Sequence, residues 1–146
     1  MDVLDFLRLA EGWVNRSTEA EWRSAVSRAY YSVFHVARQL LLQCGFEVRK
    51  GDQAHAYLWR RLCNCGVPEV QHAGRELQNL RGDRNVADYD MHVGFRQAHA
   101  KAAVELANET AEVLRRAAIE PQRSKMIAAI RDYERNVLRE VAWRAN

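Results

Sequence analysis

A chain of 146 residues that is 48% apolar, with 2 prolines and 7 glycines, is long enough to pack one core, too apolar to be disordered, and biased towards helix over strand. A net charge of +3 neither demands nor excludes nucleic acid, and no apolar run approaches the roughly 18 residues of a membrane span. The opening MDVLDFLRLAEG lacks the layout of a signal peptide, so the expectation is a soluble, cytoplasmic protein without membrane contact.

Residues 2–14 place Val3, Phe6, Leu7, Ala10 and Val14 at the spacing of an amphipathic helix. Ser17 or Thr18 can cap a second helix, with Glu19 and Glu21 in a first turn that favours carboxylates. That helix should reach about Cys44, where Gly45 stops it. At about 100° per residue, Ser24, Ser27, Arg28, Tyr31, Ser32, His35, Arg38 and Gln39 form one polar stripe. The remaining arc, from Ala25 round to Leu41, is apolar and wide, which suggests a central helix touching several neighbours or a second subunit. Tyr31 and His35 sit side by side in the stripe, as a candidate functional pair or as a hydrogen-bonding pair on a helix surface.

Residues 53–64 predict a third helix with Ala54, Tyr57, Leu58 and Leu62 inward and His55 near its start. Cys44, Cys63 and Cys65 are an odd set that reads as reduced thiols; Cys63 and Cys65 with His72 lack the second paired set that zinc sites use. Pro68 suits the first turn of a fourth helix reaching Leu80. Residues 94–119 predict a fifth helix, with Phe95, Ala98, Ala102, Leu106, Val113 and Leu114 on one side, ended before Pro121. Residues 122–143 predict a last one, with Met126, Ile127, Ile130, Tyr133, Val137, Leu138 and Val141 along one side. With no strand alternation, glycine-rich phosphate loop or internal repeat, the expected architecture is an all-α, up-and-down bundle of five or six helices with no cofactor.

Between the fourth and fifth helices stands LRGDRNVADYD, residues 80–90, dense in charge. Read as a joint, Gly82 and Asp83 supply a turn, Asn85 or Asp88 caps the next helix, and Arg84 pairs with Asp88 or Asp90. Arg49, Lys50, Arg60, Arg61, Arg75, Arg81 and Arg84 also crowd the middle third, as a solvated face or as a phosphate-binding surface.

Taken with AVSRAYYSVFHVARQLL at residues 25–41, this stretch closely resembles the HEPN family, in its small single-domain prokaryotic branch. The shared features are a Tyr-Tyr-x-x-Phe-His run, here Tyr30 to His35, and an Arg-x-x-Ala-Asp-Tyr stretch, here Arg84 to Tyr89. The likeness covers residues 4–118, which divides the chain into a bundle at 1–120 and a C-terminal helix at 121–146 that packs on the same domain or on a partner. The resemblance implies a homodimer built through the central helices, RNA cleavage or nucleotide binding, and gene pairs with a small nucleotidyltransferase, as in toxin-antitoxin modules.

Active family members cut RNA without metal, using an Arg, a polar residue and a downstream His; the Arg stabilises phosphoryl charge and the His moves protons. Arg84 and Asn85 match the first two positions, and Tyr89 stands where one version of the motif places the His. An ordinary tyrosine, with a pKa of about 10, is a poor general base at neutral pH beside a histidine near 6.5. His92 is the next histidine along and the candidate proton carrier. The resemblance therefore implies a catalytic set of Arg84, Asn85 and His92, with Tyr31, His35, Asp88 and Tyr89 as binding residues. Three readings follow: a homodimeric RNA-binding module with metal-independent endoribonuclease activity; a silent module that binds a nucleotide or partners a nucleotidyltransferase; and a structural dimer whose Arg84 is consumed by internal ion pairs.

Overall fold

The computed structural model describes residues 1–144. The described chain is all-α, a helical bundle: α1 (Asp5–Val14), α2 (Glu19–Gln43), α3 (Gln53–Cys63), α4 (Pro68–Tyr89), α5 (Gln97–Arg116) and α6 (Gln122–Tyr133), followed by a π-helical turn, Glu134–Leu138. No helix is long and apolar enough to cross a membrane among the described residues.

The chain divides into two compact units, the first made of Met1–Val36 and Glu76–Ala111, the second of Ala37–Arg75 and the chain from Glu112 onward. In the first, α2 starts at a reciprocal cap: Glu21 N–H donates to Thr18 Oγ1 at 3.3 Å, and Glu21 Oε2 accepts from the Thr18 hydroxyl at 2.8 Å and from its N–H at 3.2 Å. Of the two capping residues the sequence offers, Thr18 is the one used. Most of the apolar arc of α2 is buried within the single chain, Ala25, Val26, Ala29, Tyr30 and Val33 among it, while Phe34 is half-buried. Two serines of the polar stripe are buried as well, and each has a partner: Ser32 Oγ donates to the Val3 carbonyl at 3.0 Å and Ser27 Oγ to Asp88 at 3.1 Å.

The largest departure from the sequence reading in this unit is α4, which continues through Gly82 and Asp83 to Tyr89. No turn forms there, because neither residue adopts a left-handed backbone and Leu80 and Ala87 are both buried, which keeps the helix anchored across the charged stretch. The end of α4 is instead set by Arg23 of α2. Its guanidinium donates to the carbonyls of Val86 (3.1 Å), Ala87 (3.1 Å) and Asp90 (3.0 Å), and also to that of Val93. Carbonyls at a helix C-terminus left without a backbone partner need such donors, and the Val86 carbonyl, which also accepts from Asp90 N–H at 3.0 Å, shares its own. Arg23 is 8% exposed, pairs with Glu19 at 2.9 Å, and lies over the Phe95 ring.

In the second unit, Gly45 (φ +94°) ends α2 in the left-handed region, and a Cβ there would stand 2.6 Å from the Arg144 carbonyl oxygen. The expected C-terminal helix stops at Tyr133, short of residue 143. Beyond the π-helical turn, Arg139 is left-handed (φ 55°) and the chain leaves the helix. There Glu47 N–H donates to the Ala142 carbonyl at 2.9 Å and Arg144 N–H to that of Gly45 at 2.8 Å, forming an isolated antiparallel bridge between Phe46 and Trp143. The side chain of Glu134, 1% exposed, is paired with Arg61, 2% exposed, at 2.8 Å. Positions 145 and 146 of the expected C-terminal segment lie outside the described residues.

Candidate functional site

The continuation of α4 decides the geometry of the charged stretch. On a helix, Arg81, Arg84, Asn85 and Asp88 recur at three- and four-residue steps and share one face. Ser27, Arg28 and Tyr31 share a face of α2 by the same spacing. Side chains of the two faces meet within the first unit. Arg84 Nη2 donates to the Tyr31 hydroxyl at 2.7 Å and to that of Tyr89 at 3.4 Å, while Nη1 donates to Asn85 Oδ1 at 3.1 Å. The Arg84 Nε lies 2.9 Å from Asp88 Oδ2, close enough to pair charges but not aligned as a hydrogen bond, and that carboxylate oxygen also accepts from Ser27.

The guanidinium of Arg84 is therefore fixed from several sides, with its carbon 5.1 Å from the Tyr31 ring centroid and 5.4 Å from that of Tyr89. Its side chain is 13% exposed. Arg28 approaches the other partner of this arrangement, its guanidinium 5.7 Å from the Tyr31 ring and 5.2 Å from Phe6. Among the described residues Arg28 and Arg81 have no ion pair, and the Nε of Arg81 is buried without a hydrogen-bond partner. Burial pushes the Tyr30 hydroxyl far above the ordinary tyrosine range, opposed in part by the charges of Arg81 and Arg84. Tyr30 thus stays a neutral phenol beneath these arginines.

The seven residues picked out in the sequence divide as follows. Tyr31, Arg84, Asn85, Asp88 and Tyr89 come together. His35, one helical turn beyond Tyr31, is half-buried, with its ring beside Phe6 (5.8 Å) and Phe34 (5.2 Å). His92 is exposed in the segment after α4, and no hydrogen bond or ion pair joins it to Arg84 among the described residues. Sequence reasoning missed Arg23, which fixes the end of α4, and did not single out Ser27, Arg28 and Arg81 as site residues. Their positions on the same helical faces as Tyr31 and Arg84 carried that information.

Chemically the cluster is a pre-oriented guanidinium with two further arginines nearby and one carboxylate, Asp88. The groups in direct contact with Arg84 are two phenols, an amide and that carboxylate, all of which take its N–H donors and so aim the guanidinium, the group among them that can grip an oxyanion. Tyr89 is 71% exposed, so its ring is open to a flat ligand.

The basic residues of the middle third do not act as one class. Arg61 is buried in its ion pair, and Arg49 pairs with Glu140 at 2.9 Å, both within the second unit. The cysteines are all free, and burial raises their thiol pKa values, to about 11 for Cys65. No cluster of three or more His, Cys, Asp or Glu side chains arranged for a metal occurs among the described residues.

Among known families, the model of the HEPN domain matches the chain over residues 5–117. No curated protein and no solved structure matches the chain.

Proposed function

Because the chain belongs to the HEPN domain family, we propose that its Arg84 face binds single-stranded RNA, as a homodimeric module of a toxin-antitoxin or defence system. The observation that carries this reading is the guanidinium of Arg84, held by Tyr31 and Asn85 with the unpaired arginines Arg28 and Arg81 on the same two helical faces. Three cations against one carboxylate favour a phosphate, and Arg offers phosphate a planar fork of donors. The exposed ring of Tyr89, 5.4 Å from the same guanidinium, adds a surface on which an unpaired base can stack. Asp88 sets the strength: an incoming phosphate competes with it for Arg84.

This reading assigns binding to the face and leaves cleavage to whatever proton carrier reaches it. Endoribonuclease activity of the family type would require His92 to move against Arg84 once RNA is bound. A second reading, a silent module that partners a nucleotidyltransferase or holds a nucleotide, is favoured by the exposed apolar side chains of Met91 and Val93 following Tyr89.

The test is a metal-free sample of the protein incubated with fluorescein-labelled single-stranded RNA, read by anisotropy and by gel for wild type, Arg84→Lys, Arg84→Ala and His92→Ala. Salt-dependent binding that weakens in both Arg84 variants, with the RNA intact, supports the proposal. Cleavage lost in Arg84→Ala and His92→Ala extends it to a nuclease. Binding that is indifferent to Arg84 removes it, and a monomer in sedimentation at micromolar concentration removes the dimer.

A further inference from the structure

Two cavities in the second unit share Arg49, Tyr57 and Glu140 in their walls, one of about 170 Å³ and one of about 450 Å³. The larger lies in the size range of small-molecule sites. Glu140 bridges two arginines there, its Oε2 2.9 Å from Arg49 Nη2 and its Oε1 3.0 Å from Arg61 Nη2. Arg61 is already matched on its inner side by Glu134 at 2.8 Å, and its guanidinium stacks 3.4 Å from the Tyr57 ring centroid.

One further feature is unexplained by folding alone, and it sits beside spare charge: the exposed side chains of Lys50 and Arg60 also line the walls, with no ion pair among the described residues. The hydroxyl of Tyr57, a residue only 5% exposed, is buried with no hydrogen-bond partner. A buried phenol left unsatisfied costs stability, and such a group in a cavity wall marks a place where a ligand atom supplies the missing partner.

We propose that this cavity binds a small phosphate ester, up to the size of a mononucleotide, and that the Glu140 carboxylate occupies the phosphate position until the ligand displaces it. The two oxygens of Glu140 already take the arginine donors that two phosphate oxygens would take, and a phosphate brings more charge to the same cations. Glu140 is suited to leave, because it follows the left-handed Arg139 outside any helix, and its side chain is 40% exposed. Rotation of that side chain opens the space between Arg49, Lys50 and Tyr57 without disturbing the Arg61 to Glu134 pair. This site is separate from the Arg84 face and does not rest on it.

The experiment is an amide chemical-shift titration of the full chain with pyrophosphate and with adenosine monophosphate, each taken to about 10 mM so that a millimolar site is filled. Signals of residues 47–57 and 138–142 should move, and should move equally in Arg84→Ala. Arg49→Ala, at an exposed side chain, should abolish the response. Glu140→Gln removes the competing occupant and should tighten the apparent dissociation constant about tenfold, since affinity scales with the open fraction. Failure of both probes to move these signals, a response that survives Arg49→Ala, or a Glu140→Gln protein that binds no tighter than wild type would overturn the proposal.

Discussion

Arg84 on α4 donates a hydrogen bond of 2.7 Å to the hydroxyl of Tyr31 on α2, so the aim of the one guanidinium that the family resemblance marks depends on a phenol more than fifty residues away in sequence. Tyr31→Phe deletes only the oxygen and keeps the ring beneath the cation. The stability cost should be about 0.5–1.5 kcal/mol, the usual worth of one hydrogen bond, measured by urea denaturation. RNA affinity should fall by about three- to tenfold because the fork loses its aim. Unchanged affinity together with lost stability would make Tyr31 a packing residue.

Asp88 holds the same guanidinium at 2.9 Å and is the carboxylate that an RNA phosphate must compete with. Asp88→Asn keeps an oxygen to accept from Ser27 while removing the charge. RNA binding should tighten at low salt, and the slope of log affinity against log salt should steepen by about 0.7, the value for one more phosphate on a single strand. Weaker binding in this variant would mean that Asp88 orients Arg84 and does not restrain it.

The buried pair of Arg61 and Glu134 carries the second unit's largest electrostatic liability. Glu134→Ala leaves a guanidinium that is 2% exposed without its inner partner, and the loss should be about 3–5 kcal/mol in chemical denaturation. Arg61→Met combined with Glu134→Leu should recover most of that loss, because well-packed apolar side chains commonly replace a buried pair without cost. A double variant as unstable as Glu134→Ala would show that the pair is worth more than its burial.

The thiol of Cys65 is pushed up by burial from an ordinary value near 9 to about 11. As pH rises past 9 the unfolded thiol ionises first, so the unfolded state gains and stability present below pH 9 is lost progressively towards pH 11. The urea midpoint should therefore fall over this window, and the fall should be shallower in Cys65→Ala. The native protein should also react slowly with a thiol reagent at pH 8 and rapidly once unfolded. Equal pH slopes in the two proteins would remove Cys65 as the cause.

What could be read from the sequence follows from how local the physics is. Thr18 with Glu21, Gly45 after α2, and Pro68 at the start of α4 are short-range signals, and each stands where its chemistry placed it. The charged stretch misled because Gly82 and Asp83 are turn formers in isolation, while the residues that anchor the helix, Leu80 and Ala87, are buried, and the Ala87 carbonyl is held by Arg23 from 64 residues away in sequence. The C-terminal helix was overestimated for the same reason: the periodicity of Val137 and Val141 is helical, but both are exposed at 66% and 74%, and pairing with residues 45–47 captures the backbone instead. Of the site, the residues adjacent in sequence to Arg84 were legible. Tyr31 was legible from its stripe and from the Tyr-Tyr-x-x-Phe-His run, though not its bond to Arg84, and Arg23 was not legible at all, since nothing local announces that an arginine in α2 will terminate α4.

That termination yields the last prediction. Arg23 supplies donors to the carbonyls of Val86, Ala87, Asp90 and Val93, and its burial at 8% exposure means that water does not readily replace it. Arg23→Met keeps the packing against Phe95 but strips those carbonyls, at about 1–3 kcal/mol for each that stays buried and unpaired. Hydrogen exchange of residues 86–93 should accelerate ahead of the rest of α4, and RNA affinity should fall because Tyr89 loses its fixed position beside Arg84. Arg23→Lys should not restore it, since a single ammonium cannot span four carbonyls. Thr18→Ala is the control: losing the cap should cost about 1 kcal/mol at the N-terminus of α2, where it removes no donor from the α4 carbonyls, and leave RNA affinity alone. If Arg23→Met lowers stability without changing exchange at residues 86–93 or RNA binding, the clamp serves the fold and not the site.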